Sequence, residues 1–400
     1  MSNPQLLAAL AHPRSNWPTA IARWSTSGAL GLDLLTCLSA TELTAALASG
    51  RDIDAVLLDG ASVQVDRDLV GSIARHGSVP VGVEAASVVT DWEALGVTGV
   101  LGADFDAAEL TSLLGRICDQ RAVGSRRLIR ASLDQDETPA TTISVCGPGG
   151  AGTSVVAMAL AQGMAQDGGS VVLLDGAVRG HLAMYHDVGD VIPGLGDLVA
   201  RSRRSTIDPA ELNDLDFATR RGYRLILGAT SVRESHSLPQ AATAEALDVI
   251  RRYAEVLVVD HDGDLVSGPL STSLIDRASV WVVAIDAGIK GIHDGARFTA
   301  EALDAGVPAE RVLLVCNRTR RSDPSRATLR SQLRALLGAE HNPVQVVFLP
   351  RVHLEGVHRD AVPFPRSLVD PVATAVRQVL ADQGTVARAP IGPTLIEAVG

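Results

Sequence analysis

Short apolar runs alternate with amphipathic stretches from Thr19 to about Gln120. The runs Thr19–Arg23, Asp33–Cys37, Ala55–Asp59, Val79–Val83 and Gly99–Leu101 predict strands. Ala40–Ser49, Asp66–His76, Asp91–Leu95 and Asp106–Cys118 predict helices; the last has Leu110, Leu113, Leu114 and Ile117 at helical spacing behind an acidic first turn. Strands and helices alternating at this pitch make a small parallel α/β sheet. About nine residues separate the first two runs, fewer than a crossover helix requires, so the first helix is expected to be reduced or missing.

Residues 119–142 break the pattern, being polar, charged in both signs and without a periodic apolar face, as a linker is. A second α/β series follows. Strands are predicted at Ile143–Cys146, Val171–Asp175, Arg224–Leu227, Val256–Asp260, Val280–Ile285, Val312–Cys316 and Val344–Leu349. Helices are predicted at Ser154–Gln166, Pro239–Ala254, Ile292–Ala305, Arg326–Leu337 and Ser367–Ala381. Seven strands with crossover helices describe a doubly wound, mostly parallel sheet. The expected domains are 1–120, a linker over 121–141, a larger domain over 142–383 and a tail over 384–400.

Composition narrows the function. The chain has 400 residues, 46% hydrophobic and 20% charged, which suits two or three folded domains rather than disorder. No apolar stretch reaches the ~20 residues of a membrane helix, and the first residues lack the pattern of a signal peptide, so a cytoplasmic protein is expected. A net charge of −11 argues against nucleic acid as a partner. The four cysteines, Cys37, Cys118, Cys146 and Cys316, lie far apart without a C-x-x-C pair, indicating neither zinc nor disulfides. Cys146 and Cys316 fall in apolar runs, where buried thiols are ordinary. Of 35 basic residues only Lys290 is a lysine, as expected of a GC-rich genome.

The most informative segment is Ile143–Val156, ISVCGPGGAGTSVV, a strand, a glycine loop and a helix start. Against the phosphate-loop pattern G-x-x-x-x-G-K-[ST], Gly147 and Gly152 hold the glycine positions and Ser154 the hydroxyl position. Glycines let backbone amides converge on phosphate oxygens, and the helix dipole adds positive potential. Thr153 stands at the lysine position, so the cradle lacks the point charge that stabilises phosphoryl transfer. Asp175 and Asp260 each end an apolar strand run, where a carboxylate either meets a ligand or caps the next turn.

These residues resemble the deviant Walker motif, K-G-G-x-G-K-[ST], of the MinD/ParA ATPases. In that family the first lysine reaches across an ATP-sandwiched dimer. Pro148 occupies that position here and Thr153 the second, so both lysines are absent. VVLLDGAVRG is similar to the family's switch I strand: Asp175 matches its first carboxylate, but Ala177 replaces the Asp that orients attacking water. VLVVDHDG is similar to its Walker B strand and puts Asp260 at the magnesium-linked position, while VLLVCNR puts Asn317 where the family carries an Asn near the base. The resemblance implies a nucleotide site over Gly147, Gly149, Gly150, Ala151, Gly152, Thr153, Ser154 and Asn317, with Asp175 and Asp260 toward magnesium. Whether ATP and magnesium are still bound stays open, and no catalytic residue is assigned. Arg179 and Lys290 are the cations that could supply charge; Lys290 reads better as a solvated surface residue, and Arg179's planar fork is no lysine equivalent.

The first domain resembles a response-regulator receiver, in which a phosphoryl-accepting Asp ends the third strand, as Asp59 does in AVLLDG. Receivers hold magnesium with an acidic pair after the first strand and use a lysine after the fifth. Here those places read Arg23-Trp24-Ser25 and Ala103-Asp104, so Asp59 is expected to be a turn or cap residue and the domain a docking or dimerisation module. A degenerate, flavodoxin-like receiver followed by a MinD/ParA-like P-loop domain resembles the CpaE/TadZ proteins of Tad (Flp) pilus assembly, and within them the actinobacterial CpaE-like, septum-site-determining type. The resemblance implies a scaffold for a Tad/Flp-type secretion ATPase; an ATPase switch and a septum regulator are the alternatives. MinD proteins end in a basic amphipathic helix, whereas the tail here has one arginine and two prolines after Ala381, so membrane recruitment is expected to be indirect. A homodimer would rest on contacts other than the absent first lysine.

Overall fold

The computed structural model describes residues 5–86, 88–124, 140–188, 193–261, 268–338 and 345–383. The chain divides into two compact units, Met1–Glu137 with Ala200–Thr206, and Thr138–Val199 with Ile207–Gly400.

The first unit is built on strands β1 (Gln5–Leu10), β2 (Leu32–Cys37), β3 (Ala55–Asp59), β4 (Val79–Val83) and β5 (Gly99–Leu101). They form a parallel sheet in the order β2-β1-β3-β4-β5, the flavodoxin-like winding. Its helices are α1 (Trp17–Thr26), α2 (Ala40–Ala48), α3 (Arg67–Arg75), α4 (Trp92–Leu95) and α5 (Ala107–Gly124). Alternate strand residues point to opposite faces: Leu7, Ala9 and Leu57 pack with α1 and α5, while Ala8, Leu10, Val56 and Leu58 pack with α2, α3 and α4.

Thr19–Arg23 is not the first strand but the middle of α1, and the helix expected to be missing is present. Pro18 sits in its first turn, where a lost N–H costs nothing, and Trp17 and Ile21 bury one helical face. The first strand is the Leu/Ala run before it, so the short spacing disappears. The start of the expected linker is also helical, since α5 runs to Gly124; residues 125–139 lie outside the described residues.

The second unit is built on β6 (Thr141–Cys146), β7 (Val171–Asp175), β8 (Asp216–Ala218), β9 (Arg224–Ile226), β10 (Val256–Asp260), β11 (Val280–Asp286), β12 (Val312–Thr319) and β13 (Gln345–Pro350). The order is β13-β12-β11-β6-β10-β7-β9-β8, parallel except for β8, which pairs antiparallel with β9 at the edge. The eighth strand, β8, was not expected, because Asp216-Phe217-Ala218 contains no run of large apolar residues. Helices are α6 (Thr153–Ala165), α7 (Leu182–Tyr185), α8 (Leu195–Ser202), α9 (Val232–Ser237), α10 (Gln240–Tyr253), α11 (Pro269–Arg277), α12 (Ile289–Asp304), α13 (Arg326–Leu337), α14 (Glu355–Arg359) and α15 (Arg366–Asp382). β7 and β10 are buried along their whole length, which is why they read as unbroken apolar runs.

Helices cover both faces. Val172 and Leu174 pack with α8 and α10–α13, while Val171 and Leu173 pack with α6 and α15. α6 is apolar all round and buried from Val156 to Met164. Its Gly163 lets α15 approach: a Cβ there would lie 2.6 Å from Ala373 Cβ. Gln162, also buried, donates Nε2–H to Phe364 O (3.1 Å) and accepts from Phe364 N (2.7 Å). No helix among the described residues is long and apolar enough to cross a membrane, and the tail 384–400 lies outside them.

Candidate nucleotide-binding site

In chain order the strands step from β6 to one side, return through β10, and then continue from β11 on the other side. β6, flanked by β10 and β11, is therefore the topological switch point, and a ligand crevice opens beyond the C-terminal ends of such strands. The loop leaving β6 there is Gly147–Gly152.

Its backbone explains its residues. Gly150 and Gly152 both lie at φ +87°, a left-handed conformation costly for other residues. Gly147 is extended, and a Cβ on it would overlap the carbonyl of Ala284 in β11. Gly149 and Gly150 are exposed, and a Cβ added to either would meet open space. Gly152 is the N-cap of α6 and gives no side-chain cap, so the first helical amides are not claimed by the cap residue. Thr153 and Ser154 are half-buried on that first turn. A backbone cradle at a helix start fits an anionic ligand. A nucleotide phosphate would fit such a cradle, where backbone amides of the loop and the first turn would hold it.

Asn317, at 2% exposure, ends the apolar part of β12. It was expected beside a base, and the structure ties it to the loop, where Nδ2–H donates to Ala151 O at 3.1 Å. Its Oδ1 accepts from the backbone N–H of Arg318 at 2.8 Å. Arg318, which the sequence reading left without a role, donates Nη1–H to Gly150 O at 2.9 Å. Its φ of 54° is left-handed, unusual for a non-glycine residue. The signal was present in the motif VLLVCNR, but nothing local connects that arginine to a loop so far back in the chain.

Asp175 and Asp260 are register partners on β7 and β10, 3% and 2% exposed. Asp260 is also level with Val145 of β6, one residue before Cys146. Both carboxylates stand at the C-terminal edge of the sheet, Asp260 on the strand next to β6 and Asp175 one strand further out. Asp175 Oδ2 accepts from Leu182 N at 3.0 Å, so one of its oxygens caps α7. No group of three or more metal-ligating side chains occurs among the described residues. Asp175, Asp260 and the Ser154 hydroxyl are the groups that would hold magnesium together with the phosphate oxygens of a nucleotide, an ordinary mode for this ion.

Ala177 is buried after β7 and carries no group to orient water. Arg179 is exposed in the same segment, and Lys290 is exposed in the first turn of α12. Under the loop strand, Ser144 Oγ meets His261 Nε2 at 2.7 Å, and His261 stands edge-on to Trp281 with ring centroids 5.6 Å apart. Cys146 and Cys316 are fully buried, as expected. Burial, helped by the charge of Asp260, pushes the Cys146 thiol far up; burial, helped by Asp286, pushes Cys316 up to about 12. Neither is a nucleophile at neutral pH.

The α7 segment is anchored on its far side. His186 Nδ1 lies 2.6 Å from Leu182 O, and its Nε2 lies 2.7 Å from the Tyr223 hydroxyl. A carbonyl only accepts, so Nδ1 carries the proton and Nε2 accepts from Tyr223. Burial lowers the His186 pKa to about 4, with the backbone bond opposing and the charges of Arg221 and His358 assisting. Arg221, 3% exposed, donates to the carbonyls of Tyr185 (2.9 Å), Val362 (3.1 Å) and Val357 (3.3 Å) and lies 4.7 Å from the Phe364 ring centroid.

In the first unit, Asp59 is 1% exposed at the end of β3. Its Oδ2 accepts from His12 N (3.0 Å) and Trp17 Nε1 (3.1 Å), and its Oδ1 accepts from Ala61 N (2.9 Å). It ties three chain segments together. With β1 at Gln5–Leu10, the residues following the first strand are Ala11–Asn16 rather than Arg23–Ser25, and they too contain no carboxylate. After β5 come Gly102, Ala103 and Asp104, so a lysine is absent there as expected.

No protein-family model and no curated protein matches the sequence. Among solved structures, the chain is similar to the cell division ATPase MinD of Pyrococcus furiosus, with 16% identity, a TM-score of 0.48 and coverage of 61% of this chain and 99% of that one. It is similar to the septum site-determining protein MinD of Pyrococcus horikoshii, solved with Mg-ADP, at 18% identity and a TM-score of 0.48, covering 61% and 98%. A ParA family ATPase from Chlorobium tepidum gives 14% identity and a TM-score of 0.45, covering 62% and 94%.

Proposed function

We propose that this chain is a scaffold with a degenerate MinD/ParA-like nucleotide domain, holding a polyphosphate without cleaving it. One observation carries the reading: the glycine loop keeps its left-handed backbone and its switch-point position, yet Thr153 and Pro148 stand where the two lysines would be. Transition-state charge at a phosphoryl group is stabilised by cations placed on it, and that term is absent from these positions. Ala177 removes the water-orienting carboxylate as well. The first unit fits a receiver-like module without a phosphorylation site, because Asp59 is consumed by three N–H donors. A module of each kind in one chain, neither with its chemistry, suits a protein that works by contact. The partner class we propose, from the resemblance to CpaE/TadZ proteins, is a Tad/Flp-type secretion ATPase, with recruitment to membrane, pole or septum through it.

The test combines turnover with capture. Purified full-length protein with ATP and magnesium is expected to release no phosphate above background, while a pilus-type secretion ATPase co-purifies with it. Metal-dependent turnover that Asp260→Asn abolishes would overturn the reading in favour of an ATPase switch.

A further inference from the structure

We propose that Arg318 supplies the positive charge that a polyphosphate meets at this lysine-less loop. The inference rests on the nucleotide reading above and names the residue that would make it work.

Four observations converge on this side chain. Its guanidinium bonds the carbonyl of Gly150, and a Cβ on Gly152 would lie 3.0 Å from Arg318 Nη2, so the cation lies along the loop over Gly150–Gly152. The strand register of β12 against β13 shifts between Cys316 and Thr319, setting Arg318 at an irregularity. Its backbone is left-handed, with its N–H fixed by Asn317 Oδ1, so local strain is spent on aiming this residue. Among the described residues Arg318 forms no ion pair, so no carboxylate cancels its charge. Arginine carries five N–H donors; the bond to Gly150 uses one, leaving a fork suited to phosphate oxygens. A cation here adds to the positive end of α6. It differs from the lysine it replaces, since it comes from another strand and enters at the side of the loop.

Bracing of the loop is the competing role, and the variants separate the two. Arg318→Gln keeps a donor for Gly150 O but removes the charge; Arg318→Lys keeps the charge but loses the fork. ATP and ADP affinities of the full chain would be measured by titration calorimetry at low and high salt, with melting curves to confirm folding. Wild type is expected to bind ATP more tightly at low salt. Arg318→Gln should weaken ATP about tenfold and flatten the salt dependence, with a smaller loss for ADP, and Arg318→Lys should recover most of the affinity. Wild-type affinity and salt slope in Arg318→Gln, or an Arg318→Lys protein as weak as Arg318→Gln, would overturn the proposal while leaving nucleotide binding intact. Wild-type protein that binds neither nucleotide would remove both readings together.

Discussion

Asn317 holds the glycine loop from near the end of β12, two strands away from β6, its side-chain amide donating to the carbonyl of Ala151 at 3.1 Å. The same side chain accepts the backbone N–H of Arg318, so one buried amide satisfies the loop and the residue that braces it. Asn317→Asp keeps the acceptor but turns the donor into a second acceptor facing a carbonyl. We expect it to cost about 2–3 kcal/mol in urea unfolding, against about 1–2 kcal/mol for Asn317→Ala. Hydrogen exchange at Gly150–Gly152 should quicken in both. Unchanged exchange there would mean that the loop keeps its shape without this contact.

Two glycines of the loop predict opposite outcomes for one substitution. Gly149→Ala places a methyl group in open space without a left-handed φ, and should leave stability within about 0.5 kcal/mol of wild type. Gly152→Ala combines a φ of +87° with a Cβ 2.5 Å from Asn317 Nδ2, and should cost at least about 1–2 kcal/mol. Thermal melts of the pair make the comparison. Equal effects would show that the loop relaxes freely and is not held in its cradle conformation.

How far this architecture could be read beforehand depends on where each element's signal lies. β7 and β10 were readable to the residue because strands buried on both faces are continuous apolar runs, and each closes on an aspartate. β1 was not, because QLLAAL is Leu/Ala-rich without the β-branched residues that mark a strand, while the mixed run inside α1 imitated one. The glycine loop is contiguous and so was legible. Its braces, Asn317 and Arg318, lie 166 and 168 residues from the carbonyls they bond, and only the winding of the sheet brings them there. An Asn at a strand end signals many roles, and packing selects this one.

Asp59 gives a prediction for the first unit. A carboxylate accepting from His12, Trp17 and Ala61 is a knot between β3, the loop after β1 and α1, not a free nucleophile. Acetyl phosphate with magnesium should leave the protein unlabelled by mass spectrometry. Asp59→Asn turns one oxygen into a donor facing other donors, and should destabilise the unit by about 1–3 kcal/mol and shift the fluorescence of Trp17. A labelled Asp59 would instead place this residue among working phosphoacceptors.

The pH dependence of the second unit should carry the signature of His186. Its folded pKa of about 4 lies below the ordinary value near 6.5, because burial disfavours the imidazolium and Arg221 and His358 face it. As pH falls from about 6.5 toward 4, the unfolded chain takes up a proton that the folded chain refuses. The contribution is therefore fully present above pH 6.5, declines as pH falls and is gone below about 4. The shift corresponds to about 3–4 kcal/mol at most. Urea unfolding between pH 7 and pH 4.5 should show this slope in wild type and a flatter one in His186→Gln, which no longer titrates. Tyr223→Phe removes the hydroxyl that Nε2 accepts from, so the neutral ring loses its advantage and the slope should shrink there too. Identical slopes in all three proteins would place the pH sensitivity elsewhere than in His186.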